Sequence, residues 1–174
     1  MDFFAVIDRR QSVRAYQKNV VEPDKIAALL NTVRLAPSAG DLQAYAVVVV
    51  EDADTRQHLV RSAFGQTFIA QAPVVLVFCA DPPRSEAKYG MRGAALFAIQ
   101  DATIAAAHAQ LAAVALGLAS CWVGAFDERA VAQALGAPPY LRPVALLPLG
   151  YSAETPARTP RRRLEDLVKR DRFA

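Results

Sequence analysis

The sequence predicts one α/β or α+β domain, a sheet with helices on its faces. Short apolar, β-branched runs alternate along the chain with longer segments of helical periodicity. Residues 74–79 are apolar on both faces, as expected of a central strand that is covered on both sides. A length of 174 residues fits one domain, and 53% hydrophobic with 21% charged residues excludes a disordered chain.

The N-terminal part is predicted to form helices around one strand. Residues 2–8 are a short apolar stretch that favours a helix. A second helix is predicted to begin at Pro23, because proline suits the first helical turn. The negative charge of Asp24 is also favourable there, since a helix N-terminus is partly positive. It ends before Pro37. A small-residue loop, a β-branched strand and a polar helix are then predicted at residues 36–41, 46–50 and 54–63.

The C-terminal part is predicted to hold a long central helix and further strands. Residues 93–116 are apolar nearly all round, so this helix is expected to be buried on more than one side, and its alanines allow a subunit partner to approach. Asp127 caps a helix over residues 128–135 that ends at Gly136. Three strands are predicted at residues 74–79, 118–126 and 144–149. Residues 81–90, which contain two prolines, are predicted to form a polar loop.

Cysteine, histidine and charge exclude several classes of protein. Cys79 and Cys121 lie in apolar runs, which predicts buried thiols of a reducing, cytoplasmic compartment. The two histidines are far apart, so no metal site is expected. Residues 158–174 hold seven basic and three acidic side chains, a net charge of +4. Positive charge confined to one segment suits one small anionic ligand, and no nucleic-acid partner is expected.

A membrane-bound protein is also not expected. Residues 102–126 carry no charged side chain and are long enough to span a bilayer. This stretch is rich in alanine, contains His108 and Gln110, and divides at Gly117 into a helix and a strand. A buried central helix accounts for it better. The first ten residues also lack the apolar core of a secretory signal.

No motif for a protein-based catalyst is present, but an anion site is predicted near the N-terminus. The sequence has no dinucleotide-binding or P-loop glycine motif, no nucleophile elbow and no evident triad, so any catalysis is expected to depend on a cofactor. Arg10, Ser12 and Arg14 alternate, so in extended backbone they face one side together. Asp101 lies in the apolar helix and is expected to need a basic partner, because a buried carboxylate is costly unless it is paired.

Five stretches follow one another in a recognisable order. They are RRQSVR at 9–14, APSAGDLQ at 36–43, GLASCWVGAF at 117–126, PLGY at 148–151 and RRRLED at 161–166. Together they resemble the motifs of the FMN-dependent nitroreductase family, and the resemblance covers nearly the whole chain as a short member. It implies an α+β, three-layer α/β/α fold with a central mixed sheet. It also implies a homodimer with exchanged C-terminal extensions and FMN at the subunit interface.

The resemblance also implies which residues contact FMN. Arg10, Ser12 and Arg14 would hold the phosphate, ribityl chain and pyrimidine edge, and Arg161 with Arg162 would complete the phosphate clamp. The full set of implied cofactor-binding residues is Arg10, Gln11, Ser12, Arg14, Pro37, Ser38, Ala39, Asp41, Gln43, Thr67, Val123, Gly124, Ala125, Arg161 and Arg162. The loop containing Pro37 would come from the other subunit, and residues 123–125 would lie near the flavin ring.

The implied activity is reduction of small acceptors such as nitroaromatics or quinones, with hydride taken from NADH or NADPH in a ping-pong mechanism. No side chain is expected to react, because the flavin carries the chemistry. Asp41 replaces the asparagine of the family, and no lysine precedes the second strand, so Arg14 is the main candidate to stabilise the reduced ring. Two alternatives stay open: a flavoenzyme of the same fold with another substrate, and a non-catalytic module with a basic tail.

Overall fold

The computed structural model describes residues 1–173, which form eight α-helices and four strands. In chain order these are α1 Phe3–Arg9, α2 Pro23–Arg34, β1 Tyr45–Val50, α3 Ala53–Ser62, α4 Phe68–Gln71, β2 Val74–Ala80, α5 Pro82–Arg92, α6 Ala98–Ala115, β3 Ala119–Ser120, α7 Glu128–Ala134, β4 Arg142–Gly150 and α8 Leu164–Leu167. Two shorter segments are a 3-10 turn at Ala39–Asp41 and a π-helical turn at Gly93–Phe97. None of the helices in residues 1–173 combines the length and apolar character needed to cross a bilayer.

The four strands form one sheet in the order β1-β2-β4-β3. All three strand pairs are antiparallel, with Tyr45 opposite Ala80 at one end of the β1–β2 ladder. A bulge between Phe78 and Cys79 shifts the β2–β4 register by one residue. The parallel component is a single bridge that joins Ser12 to Ser120. The predicted α+β class is therefore confirmed. Within residues 1–173, the sheet counts as mixed only because this one parallel bridge joins three antiparallel strand pairs.

Helices cover both faces of the sheet, and the alternation of side chains along β2 assigns each face. All seven residues of β2 are buried, which confirms that this strand is central. Val74, Leu76 and Phe78 pack with side chains of α2 and α6. Val75, Val77 and Cys79 pack with side chains of α3, α4 and α7. These two cores make the three layers, helix, sheet and helix.

The expectation of a polar loop at residues 81–90 is wrong, because this segment forms α5. Pro82 and Pro83 occupy the first two helical positions, where a missing backbone N–H leaves no hydrogen bond unmade. The carboxylate of Asp81 caps the helix by accepting from the backbone N–H of Arg84 at 3.2 Å. Two prolines that suggested a loop therefore mark the start of a helix.

Two further predictions are corrected. The strand expected at residues 118–126 is reduced to β3 and one bridge between Val123 and Leu146, so residues after Ser120 leave the ladder. The helix expected at residues 93–116 begins with the π-helical turn. A Cβ on Gly93 would collide with the backbone carbonyl of Ser85, so this turn packs directly against α5.

Candidate functional site

A cavity lies between the residues that follow α1 and the C-terminal tail. Its volume is about 620 Å³, and four arginines against one carboxylate give it a positive lining. Its polar and charged lining residues are Asp8, Arg10, Gln11, Ser12, Arg14, Arg158, Thr159 and Arg161. The sequence predicts an anion site at Arg10, Ser12 and Arg14, and the family resemblance adds Gln11 and Arg161; all five residues line this cavity.

Extended backbone after α1 gives Arg10, Ser12 and Arg14 their common direction. Arg10 ends α1 with extended dihedral angles, and Ser12 forms its bridge to Ser120. The backbone N–H of Val13 donates to the carbonyl of Ser120 at 3.1 Å, while the Val13 side chain is buried on the opposite side. The alternation predicted from the sequence is therefore imposed by attachment of this segment to the end of the sheet.

Tyr16 anchors the far end of the same segment. Its hydroxyl donates to the carbonyl of Val13 at 2.7 Å, and the carbonyl of Pro148 lies 3.2 Å away. Burial raises the pKa of the Tyr16 phenol well above its usual range, so it remains a neutral hydrogen-bond donor. The carboxylate of Glu154 accepts from the backbone N–H of Arg14. These contacts fix the backbone of the arginine-bearing segment from both sides.

The C-terminal tail closes the cavity through one ion pair. The guanidinium of Arg158 donates to both carboxylate oxygens of Asp8, at 2.9 and 2.7 Å, and to the Asp8 carbonyl at 2.8 Å. The Arg158 guanidinium holds the pKa of Asp8 below its usual range. Arg161 follows in the lining and donates to the hydroxyl of Thr159. Arg162 turns away from the cavity and donates to the carbonyl of Asp166.

The cavity offers acceptors as well as donors. The side-chain oxygen of Gln11 is buried and has no hydrogen-bond partner in residues 1–173. A buried acceptor without a partner is costly, so a ligand hydroxyl is a natural donor to it. Clustered guanidinium groups beside it bind phosphate through charge-assisted hydrogen bonds. The cavity is therefore suited to a phosphorylated ligand that also carries hydroxyl groups.

A second group of predicted residues lies next to Arg14. The Arg14 guanidinium lies 6.0 Å from the centre of the Phe68 ring, and Thr67 directly precedes Phe68. The side-chain amide of Gln66 donates to the carbonyl of Ala125 at 2.9 Å. Arg14, Thr67 and Ala125 are thus gathered around the start of α4. Gly124 and Ala125 are exposed, whereas Val123 is buried in its bridge to β4.

Residues 37–43 form a loop whose two ends are held by hydrogen bonds to the Asp101 side chain. The Asp101 carboxylate is buried and accepts from the backbone N–H groups of Ala39, at 2.9 Å, and Ala44, at 3.3 Å. Within residues 1–173, two backbone amides and no basic side chain partner the Asp101 carboxylate, so the basic residue expected from the sequence is not found in the same chain. Asp41 and Gln43 both adopt left-handed backbone angles, which makes this loop unusually tight.

The polar side chains of the loop also serve to hold it. The hydroxyl of Ser38 accepts from the backbone N–H of Gln43 at 2.9 Å, and the Gln43 side chain donates to the carbonyl of Arg34 at 2.8 Å. Pro37, Ser38 and Ala39 line a separate apolar cavity of about 520 Å³ with residues of α6. Within one chain, the loop and the arginine-lined cavity are thus two separate surfaces.

Both cysteines are free and buried, as predicted. Burial raises the pKa of Cys79 to about 11. Burial also raises the pKa of Cys121, and the nearby Arg14 and Ser12 oppose that rise. Both thiols are therefore protonated near neutral pH, and they act as core side chains.

Two residues at the cavity were missed from the sequence. Arg158 was counted in the basic tail but lies ahead of the RRRLED motif, so nothing in the motif marked it. Glu154 lies in no motif at all, and its contact with Arg14 joins residues 140 positions apart. A long-range contact of this kind has no local sequence signal.

Comparison with known proteins gives a consistent result. The model of the Nitroreductase family matches residues 7–67 and 56–151. An NADH dehydrogenase of Thermus thermophilus is 31% identical over 187 residues, covering 92% of this chain and 91% of that protein. An FMN reductase [NAD(P)H] of Bacillus subtilis is 31% identical over 165 residues, covering 87% of this chain and 66% of that protein. Among solved structures, the hypothetical oxidoreductase YcnD from Bacillus subtilis superposes with a TM-score of 0.91 at 28% identity, covering all of this chain and 76% of that one.

Proposed function

The chain belongs to the nitroreductase family, and we propose that it is an NAD(P)H-dependent oxidoreductase with FMN as its cofactor. The observation that carries this proposal is the arginine-lined cavity between residues 8–14 and the tail. The acceptors we propose are small nitroaromatics or quinones. Two similar proteins are named as an FMN reductase and an NADH dehydrogenase, which supports nicotinamide-dependent electron transfer.

The residues present fit FMN. Arg10, Arg158 and Arg161 supply the guanidinium groups for a phosphate, and the unpartnered Gln11 oxygen suits a ribityl hydroxyl. Ser12 adds a hydroxyl on the same side. In place of the predicted Arg161 and Arg162 pair, we propose Arg158 and Arg161, because both line the cavity while Arg162 bonds to the tail itself.

Bound FMN supplies the group that accepts and donates hydride. The protein binds, orients and stabilises charge. Arg14 carries a positive charge next to Phe68 in the lining of the cavity, and it favours a ligand ring that gains negative charge. The exposed backbone at Gly124 and Ala125 offers N–H donors to the same ring. We propose that donor and acceptor bind in turn to one open pocket, as ping-pong kinetics require.

We propose that the working form is a homodimer in which the ends of the tails, from Leu164 onward, are exchanged, while Arg158 and Arg161 stay at the cavity of their own chain. Apolar side chains of the tail and of α1 have no cover in the single chain, and such exposed clusters mark interaction surfaces. They are Phe3, Phe4, Leu164, Leu167, Val168 and Phe173. The dimer would bring the loop at residues 37–41 of one subunit to the arginine-lined cavity of its partner. The two protonated thiols suit a reducing compartment, and we propose a cytoplasmic location.

The test begins with the visible spectrum of the purified protein. We expect one FMN per subunit, released by heat and identified by chromatography, and reduction of the bound flavin by NADH or NADPH under anaerobic conditions. Reoxidation by a panel of nitroaromatics, quinones and free FMN then identifies the acceptor class. A protein that contains no flavin and binds no added FMN would overturn the proposal and favour a non-catalytic module. A flavin that no nicotinamide reduces would favour a flavoenzyme with another substrate.

A further inference from the structure

Two cations and two aromatic rings form a connected cluster on α5 and the π-helical turn. The Lys88 ammonium lies 5.4 Å from the centre of the Tyr89 ring, and the Arg92 guanidinium lies 5.4 Å from the centre of the Phe97 ring. The two rings meet edge to face, with centres 5.2 Å apart. The cluster therefore presents an aromatic pair with a positive charge on each flank.

Both charges of this cluster are available to a ligand. Lys88 and Arg92 are exposed, and within residues 1–173 neither forms an ion pair with a carboxylate. No ion pair therefore holds either charge to Glu86 on α5 or to Asp41 in the adjacent loop. A cation near an aromatic face stays attractive to an anion, because the ring screens it less than a carboxylate would.

The cluster adjoins the loop that we propose to face the cofactor of the partner subunit. Side-chain ends of Lys88 and Tyr89 occupy the place where a Cβ on Gly40 would stand, so α5 packs directly on this loop. Phe97 lines the 520 Å³ apolar cavity together with Ser38 and Ala39. The aromatic pair therefore continues from the loop into an apolar surface that accommodates a flat ring.

We propose that Lys88 and Arg92 select aromatic or quinoid acceptors that carry a carboxylate or sulfonate group. The ring of the acceptor packs by Tyr89 and Phe97, and its anionic substituent lies by one of the two cations. This inference rests on the proposed function, since it names the substrate class of that site. It predicts a preference based on charge, which an apolar pocket alone does not provide.

The test compares two nitro compounds that differ in charge. Oxidised holoenzyme is titrated with 4-nitrobenzoate and with 4-nitrobenzyl alcohol, and binding is followed by the flavin absorbance and by calorimetry. We expect the parent protein to bind 4-nitrobenzoate about two- to fivefold more tightly, as one exposed charge contact allows. This preference should fall as salt is added. The K88Q/R92Q variant should bind both compounds equally, whereas R92K should retain most of the preference.

The matched control is K18Q/R61Q, which removes the same charge from exposed positions outside the cluster and should keep the preference. Equal binding of both compounds by the parent, or a preference that survives K88Q/R92Q, would overturn the inference. A K88Q/R92Q variant that changes the KM ratio of NADPH to NADH, but not the acceptor preference, would also overturn it, because the cations would then serve the donor. FMN content and oxidation of NADH or NADPH by a neutral quinone are measured first. Failure there overturns the proposed function, whereas success there without anion preference overturns this inference alone.

Discussion

Arg14 and Arg10 line the same cavity, but they are expected to affect different properties of bound FMN. Arg14 should affect the reduction potential, and Arg10 should affect the affinity. Arg14 lies next to Phe68, whereas Arg10 lies at the end of α1. Reduction by two electrons adds negative charge to the flavin ring and leaves the phosphate charge unchanged. A cation beside the ring therefore changes the reduction potential, and a cation beside the phosphate changes the affinity in both redox states equally.

The magnitude for Arg14 follows from distance and exposure. Two unit charges about 4 Å apart interact by about 1 kcal/mol in water and about 4 kcal/mol near a protein surface. Arg14 is exposed in the single chain, so the lower half of that range applies, about 1–2 kcal/mol. For a two-electron couple this corresponds to about 20–45 mV. We expect Arg14→Ala to lower the potential by this amount with a smaller loss of affinity for oxidised FMN.

The assay measures both quantities for both variants. The reduction potential is obtained by equilibration with a reference dye, and the affinity of oxidised FMN by fluorescence titration of the apoprotein. Arg10→Ala should weaken FMN binding and leave the potential unchanged, and Arg61→Ala, an exposed arginine on α3, should change neither. A potential that stays within error of the parent in Arg14→Ala would refute the role given to Arg14. The exposed backbone at Gly124 would then be the remaining candidate.

Three further outcomes are expected. Asp101→Asn should lower the melting temperature by roughly 2–10 °C in calorimetry. One of two buried hydrogen bonds is lost, because the new amide donor faces a backbone N–H that also donates. An unchanged melting temperature would contradict this. Asp8→Asn should release Arg158, weaken FMN binding and speed proteolysis of the tail. Because the pKa of Asp8 is lowered, its ion pair is fully present above about pH 4 and is lost as the pH falls through the lowered pKa; an identical effect of Asp8→Asn at pH 3 and pH 7 would count against the pairing. Sedimentation at micromolar concentration should give a dimer, and a monomer that retains FMN would contradict the proposed assembly.

The sequence predicted those elements whose signal is local. The apolar run of β2 and the capping residues of α7 were recognised with errors of one residue at the ends, because periodicity and caps act within a few positions. The segment at residues 81–90 was misassigned, since proline marks both loops and helix N-termini. Which of the two occurs depends on Asp81 and on packing against Gly93, which lies in a later turn.

The arginine site was also partly predictable, for the same reason. Arg10, Ser12 and Arg14 share one side because extended backbone alternates, which the sequence predicts, although the bridge to Ser120 holds the segment extended. Arg158 and Glu154 reach the same place through contacts across 150 and 140 positions of the chain. Asp101 was noticed as a buried acid, but its partners are backbone amides, which no side-chain pattern reveals.

The separation of the two cavities within one chain supports our proposal that the site forms between two copies. In one chain the lining of the arginine-lined cavity is only about half apolar and carries four arginines, whereas the cavity of Ser38 and Phe97 is mostly apolar and has no arginine in its lining. A flat ring on a phosphorylated tail needs both kinds of surface at once. We propose that two copies supply them reciprocally, so each site forms when the dimer forms. Loss of the dimer would then remove the apolar half of both sites while every arginine stayed in place, and FMN affinity would depend on protein concentration.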